Sequence, residues 1–262
     1  MASLFDSHAH FDDERFFNPE EVSDRDALIE DIFKGDISYI MNASSDINSS
    51  ENGIELSKKY EGFYSAAGIH PHEITGLDLD LTLLRLKELL AFKKVMALGE
   101  IGLDYHYDGD YKEEQKIWFR AQMALAEELD MPVIIHDREA HGDTMDIIRE
   151  FPTVRGILHS FSGSEEMAKE LVKRGWYISF SGVITFKNAS RILEVVKSVP
   201  NERILVETDC PYLAPVPMRG KLNHSGYLHY TAEVAAVARG EDYESFCENT
   251  LKNTLEIYKI KG

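Results

Sequence analysis

The sequence predicts an α/β fold, a TIM (β/α)8 barrel forming a single domain over residues 1–262 with an extra C-terminal helix, and three observations carry that expectation. Short apolar runs of strand length recur eight times along the chain. Segments with helical apolar spacing lie between them, and the runs are apolar throughout rather than alternating with polar residues. Continuous apolar runs suit parallel strands buried on both faces, and 262 residues match the roughly 250 that eight β/α units need. An open, doubly wound sheet is the structural rival. No Pro/Gly/Ser-rich linker, low-complexity stretch or internal repeat divides the chain.

The strand-like runs begin at Leu4 to Phe5, Ile37 to Met41, Phe63 to Ala67 and Val95 to Leu98, and continue at Val133 to Ile135, Gly156 to Leu158, Tyr177 to Phe180 and Ile204 to Val206. Ahead of the second run, Leu28, Ile29, Ile32 and Phe33 recur at helical spacing and stop at Gly35. From Ser164 to Gly175 the ends and the face agree: a Ser cap, Glu165 and Glu166 in the first turn, apolar Met167, Ala168, Leu171 and Val172, then Lys173, Arg174 and a Gly stop. Ile192, Val195, Val196 and Val199 repeat the helical spacing, and helices over 227–239 and 243–258 close the far end of the domain.

Composition narrows the function classes. Apolar residues at 44% and charged residues at 28% are ordinary globular usage. Against 28 Lys and Arg stand 46 Asp and Glu, a formal charge of −18 that repels phosphate backbones and anionic membranes at long range, so any nucleic-acid role needs local positive charge or metal. The longest low-charge run, 175–186, falls short of the roughly 18 apolar residues of a membrane span, and the N-terminus lacks a signal-peptide pattern. A cytoplasmic location is expected, with Cys210 and Cys247 as reduced thiols, the former packed rather than nucleophilic.

The chemistry-bearing residues follow the apolar runs: His8 and His10, His70, Glu100, His136, His159, and Glu207 with Asp209. In a (β/α)8 barrel these are the C-terminal strand ends, which converge on one mouth. His8 and His10 at i and i+2 point the same way along a strand, about 7 Å apart at Cα, and can grip one ion. A lone histidine is more often a satisfied core residue, but metal-type ligands at successive strand ends outweigh that reading. Glu100 stands in Gly99-Glu100-Ile101-Gly102-Leu103-Asp104, where a carboxylate could bridge two metals; a salt-bridged surface Glu is the bland alternative. Nitrogen with oxygen ligands suits zinc, manganese, iron, nickel or cobalt better than calcium. No G-x-S-x-G elbow, P-loop or dinucleotide G-x-G-x-x-G supplies another route, so metal-assisted hydrolysis by an activated hydroxide is the expected reaction class.

Six motifs in fixed order, Asp6-Ser-His-Ala-His10, Gly68-Ile-His-Pro-His72, Gly99-Glu-Ile-Gly-Leu-Asp104, Ile135-His-Asp-Arg138, His159-Ser-Phe-Ser-Gly163 and Glu207-Thr-Asp-Cys-Pro-Tyr-Leu-Ala-Pro215, resemble the TatD family of metal-dependent hydrolases and deoxyribonucleases from end to end. The resemblance implies two divalent ions (Zn, Mn, Mg, Ni or Fe), one held by His8, His10, Glu100 and Asp209, the second by Glu100, His136 and His159. It implies that Asp209 orients or deprotonates the attacking water and that His70 polarises or transfers a proton, with Asp209, Glu100 and His70 as the catalytic set. Pro217 to Asn223 matches the family's Arg-Gly-Lys-x-Asn segment, a solvated turn or a phosphate contact, while His224-Ser225 stands where Glu-Pro is common. Arg138, Arg219, Lys221 and Asn223 are the substrate-binding candidates, with Lys187 a further phosphate contact. His72, His106, His141, His224 and His229 are read as supporting or surface groups.

These residues lead to a deoxyribonuclease, 3'-5' exonuclease-like, receiving a single-stranded DNA end in the barrel mouth, with no membrane and no obligate protein partner. An ester or amide hydrolase such as a D-aminoacyl-tRNA deacylase is the alternative, since the same activated water attacks a carbonyl carbon. A non-catalytic metal-binding protein is a third reading, disfavoured because every ligand-type position is filled.

Overall fold

The computed structural model describes residues 3–106 and 111–261. Its eight strands are β1 (Leu4–Ala9), β2 (Ile37–Asn42), β3 (Phe63–Ala67), β4 (Val95–Asp104), β5 (Val133–Arg138), β6 (Gly156–Leu158), β7 (Tyr177–Phe180) and β8 (Ile204–Val206), in one parallel sheet whose order follows the chain. Around it lie α1 (Arg25–Ile32), α2 (Ile47–Lys59), α3 (Leu79–Leu90), α4 (Lys112–Leu129), α5 (His141–Glu150), α6 (Glu165–Lys173), α7 (Ser190–Ser198), α8 (Leu228–Arg239) and α9 (Tyr243–Ile257). The fold is the expected TIM barrel. None of the described helices is long and apolar enough to cross a membrane.

Local chemistry explains the helix starts. Asp24, Asp46, Asp78, Ser164 and Asp242 each accept a backbone N–H from the first turn of α1, α2, α3, α6 and α9, satisfying a donor that has no partner within the helix. Strands β1, β4 and β5 run beyond their apolar cores, β4 by six residues past Leu98 to Asp104. A reading by apolarity stops where the polar functional residues begin, although the ladder continues through them.

The barrel interior is filled from each strand, by Phe5, Met41, Ala66, Ala97, Ile134 and Ile157 with Tyr177 and Leu205, and is plugged from below by Ile257 and Tyr258 at the end of α9. The Tyr258 hydroxyl donates to the Ser7 carbonyl at 2.9 Å, tying the last helix to the first strand. Where β1 meets β8 the backbone closes at the upper end, with His10 N–H donating to Cys210 O at 2.8 Å and Asp209 N–H to His8 O at 2.9 Å. Lower down, side chains complete the seam: Ser7 Oγ donates to Val206 O at 3.0 Å, and buried Asp6 accepts from Thr208 N–H at 2.9 Å.

Period-two alternation carries the interior layer up to the mouth on several strands: Ile134 to His136, Ile157 to His159, and Leu205 through Glu207 to Asp209. On β1 and β4 the parity changes. Phe5 faces the interior and Ser7 Oγ lies 3.0 Å from Ser179 Oγ on the non-adjacent β7, yet His8 and His10 also face the mouth. Ala97 and Glu100 differ in parity in the same way. The pairing register shifts between Asp6 and Ala9 on β1 and between Leu98 and Ile101 on β4. A bulge at those two places turns the following side chains inward.

Candidate metal centre

At the C-terminal ends of the strands opens a cleft of about 930 Å³ whose floor holds His10, His70, Glu100, His136, His159 and Asp209. His8 lies beneath, fully buried. The two oxygens of Glu100 face different partners. Oε2 is 3.2 Å from His8 Nε2 and 3.6 Å from His10 Nε2, and Asp209 Oδ1 is 3.6 and 3.4 Å from those same nitrogens. Oε1 is 2.7 Å from His136 Nδ1 and 2.7 Å from His159 Nε2. His8 and His10 nitrogens are 3.0 Å apart, and those of His136 and His159 are 3.2 Å apart. Donor atoms around a tetrahedral ion with bonds of about 2.0–2.1 Å sit roughly 3.3 Å from one another, so both clusters have the spacing of a ligand set.

The outer ring nitrogens strengthen that fit. His10 Nδ1 donates to Ala43 O at 2.9 Å, His136 Nε2 donates to Asp104 Oδ2 at 3.0 Å, and His159 Nδ1 faces Glu207 Oε1 at 3.3 Å. A histidine that spends one N–H on a carbonyl or carboxylate turns the other nitrogen's lone pair toward the centre, the usual support of a metal-ligating imidazole. Gly102, at φ 140°, lets β4 lie against β5, because a Cβ there would collide with the His136 carbonyl oxygen. That approach sets Glu100 beside His136.

Charge balance couples the two clusters. Burial opposes ionisation of Glu100, but His159 and His8 and the hydrogen bonds of His136 and His159 outweigh it and hold the carboxyl well below its usual value. Asp209 is likewise lowered against the cost of burial, by His10, His159 and His8. Burial and the neighbouring His136 imidazole push His70 well below 6.5, so it is neutral. Its Nδ1 accepts the His72 backbone N–H at 3.2 Å, which leaves the proton on Nε2, 3.8 Å from Glu100 Oε1. Although His70, Glu100 and His136 are close enough to form a third donor cluster, this tautomer presents a hydrogen-bond donor rather than a lone pair. Burial raises the Cys210 thiol well above its usual value, in keeping with a packed rather than a nucleophilic group.

The candidate substrate contacts separate. Arg138 lines the cleft. Arg219 lies outside the lining and stacks its guanidinium 3.9 Å from the centroid of Phe186, which does line it. Lys187 and Lys221 are exposed and outside the lining. Asn223 differs from the expectation: it is fully buried, and its amide donates to Thr208 O at 2.9 Å and Tyr212 O at 2.6 Å. It clamps the loop that carries Asp209 instead of facing a ligand.

Sequence reasoning overlooked Asp104, which orients His136, and Phe186, Arg191 and Tyr212 on the cleft walls. For Asp104 a signal existed, since Glu100, Gly102 and Asp104 fall at i, i+2 and i+4 of one strand and share a face. Phe186 and Tyr212 lie on loops, where no period marks which side faces the site, and Arg191 is the second residue of α7.

Comparison with known proteins agrees with this geometry. Residues 5–259 match the family model described as TatD related DNase. An uncharacterised metal-dependent hydrolase of Bacillus subtilis is 40% identical over 260 residues, 98% of this chain and 99% of that protein. The 3'-5' ssDNA/RNA exonuclease TatD of Escherichia fergusonii is 30% identical over 246 residues, 91% of this chain and 94% of that protein. The crystal structure of a TatD homologue from Escherichia coli K12 superposes with a TM-score of 0.90 at 27% identity, covering 98% of each chain.

Proposed function

This chain belongs to the TatD family of metal-dependent hydrolases, and on that premise we propose that it hydrolyses phosphodiester bonds at the ends of single-stranded DNA, in the 3'-5' direction. The observation that carries the reading is the division of Glu100 between two donor clusters at the floor of an open cleft. In this reading His8, His10, Glu100 and Asp209 would hold one divalent ion, and Glu100, His136 and His159 would hold a second. Such ions, when bound, lower the pKa of water and offset charge on a phosphoryl oxygen.

The chain's own groups perform the remaining steps. Asp209, ionised, accepts a proton at Oδ2 from the attacking water as its oxygen bonds to phosphorus. The ester bond on the far side breaks, and His70 Nε2–H hydrogen-bonds to the departing oxygen, which takes its proton from solvent. Arg138 on the cleft wall supplies local positive charge toward a phosphate in a protein whose net charge is −18. The cytoplasmic location expected from the sequence belongs to the same reading.

The test is a panel of end-labelled single-stranded DNA, RNA and charged D-aminoacyl-tRNA, run on protein stripped of metal and on protein resupplied with Mn, Mg or Zn. DNA shortened from its 3' end only after metal is restored supports the reading. Deacylation without DNA cleavage replaces it with the carbonyl-ester alternative, and full DNA cleavage by protein verified to be metal-free refutes the metal requirement.

A further inference from the structure

We propose that Arg191 anchors a second nucleotide subsite, holding the phosphate next to the one being hydrolysed, and that the Phe186 ring carries the base of that nucleotide. The inference rests on the nuclease reading and extends it to the substrate's length: productive binding needs more than one phosphate.

Arg191 stands at the second residue of α7, exposed, and lines the cleft. It makes no ion pair with any described residue, whereas Arg149, Arg174 and Arg239 are held by carboxylates at 2.7 to 3.1 Å. His141 and Glu166, at the starts of α5 and α6, feel its charge without an ion pair to it. A guanidinium left uncommitted over a concave site, in a protein with 18 excess negative charges, is a ready phosphate contact.

Phe186 lies five residues earlier, on the loop that leads into α7, and also lines the cleft. The Arg219 guanidinium stacks on its ring, 3.9 Å from the centroid, and in this proposal the base stacks on the opposite face. The loop is braced: Thr185 Oγ1 donates to Gly182 O at 2.7 Å and accepts the Val216 N–H at 2.8 Å, joining it to the segment after β8. The platform is therefore formed before substrate arrives. Asp12, Asp13 and Glu73, which follow β1 and β3, also line the cleft, as does Asp137 beside Arg138.

The experiment compares wild type, Arg191→Ala, Arg191→Lys and Phe186→Leu on a dT hexamer and on bis(p-nitrophenyl) phosphate, which carries a single diester. Arg191→Ala should lower the ratio of kcat/KM for the hexamer over that for the small diester about tenfold, through KM rather than kcat, and Arg191→Lys should recover part of it. Phe186→Leu should lower the same ratio. Without metal, in chelator, the anisotropy-measured affinity of a labelled hexamer should fall on Arg191→Ala, and its log-log salt slope should become shallower by about 0.7, the share of one phosphate on a single strand. A hexamer ratio, affinity and salt slope insensitive to Arg191 overturn the subsite alone. A wild type that hydrolyses the small diester but neither binds nor cuts the hexamer overturns the nuclease reading and the subsite with it.

Discussion

Asp104→Asn should weaken one donor cluster and spare the other, because Asp104 touches only one of them. Its Oδ2 lies 3.0 Å from His136 Nε2 and its Oδ1 accepts the His106 backbone N–H at 2.9 Å. Burial opposes its ionisation, yet the His136 and His106 hydrogen bonds hold it below the usual carboxylate value. Asparagine keeps the shape and has one acceptor for those two donors. With its oxygen toward His136, its NH2 meets the His106 N–H. With the amide turned, the NH2 meets His136 Nε2 and favours the proton on Nδ1, the nitrogen 2.7 Å from Glu100 Oε1. Either way His136 loses its orientation or its lone pair, and loss of such an outer partner costs about 10- to 100-fold in metal affinity, or roughly 1.4 to 2.7 kcal/mol. The assay is a calorimetric titration of stripped protein with Mn or Zn, resolving two classes of site. The class assigned to Glu100, His136 and His159 should weaken by that factor. The class assigned to His8, His10 and Asp209 should weaken less, since Asp104 reaches it only indirectly, through His136 and then the shared Glu100. Equal weakening of both classes, or no change in either, would refute the orienting role.

Glu100→Gln removes the charge shared by both clusters, so metal content of both should drop and the rate should fall by more than about 100-fold, beyond the loss expected from an outer partner; elemental analysis with unchanged metal would sink the bridging role. Asp209→Asn should lower kcat by about 10²- to 10⁴-fold with a much smaller change in KM, as a proton acceptor would; a KM effect at constant kcat in steady-state kinetics would contradict it. Asn223→Ala leaves the Thr208 and Tyr212 carbonyls unpaired, costing about 2 kcal/mol or more in urea unfolding and lowering kcat as the Asp209 loop loosens; unaltered stability would argue against the clamp. Burial pushes His224 from 6.5 down to about 4, so between those pH values the unfolded chain takes up a proton that the folded chain refuses. Stability contributed by its neutral form is complete above pH 6.5 and declines as pH falls toward 4, by about 1.4 kcal/mol per unit across that window. Urea melts of metal-free protein at pH 7 and pH 5 should show a smaller loss for His224→Gln than for wild type, and an equal loss would remove His224 as the source.

Much of this protein follows from short-range signals in its sequence. Apolar runs of strand length, the Ser164 cap, and helical spacing between the runs placed eight strands and several of the helices around them, because each depends on residues a few positions apart. On β5, β6 and β8 the alternation from Ile134, Ile157 and Leu205 leads directly to His136, His159 and Asp209, so their convergence was legible. On β1 and β4 it was not. Unbroken alternation from Phe5 and Ala97 would turn His8, His10 and Glu100 away from the interior, and the register shifts that turn them back arise from pairing with β2 and β5, whose partners are distant in the chain. A period-two pattern fixes which residues of a strand share a face; the neighbouring strand decides where that pattern is interrupted. Asn223 illustrates the complementary limit. Its residue type suits a substrate contact or a loop clamp equally, and the nearness of the Thr208 and Tyr212 carbonyls, reached only by folding the chain back from β8, made it the clamp. Long-range packing likewise brought Phe186 over the cleft, on a loop whose local sequence carries no period to reveal the side it faces, and set the start of α7, with Arg191, beside it.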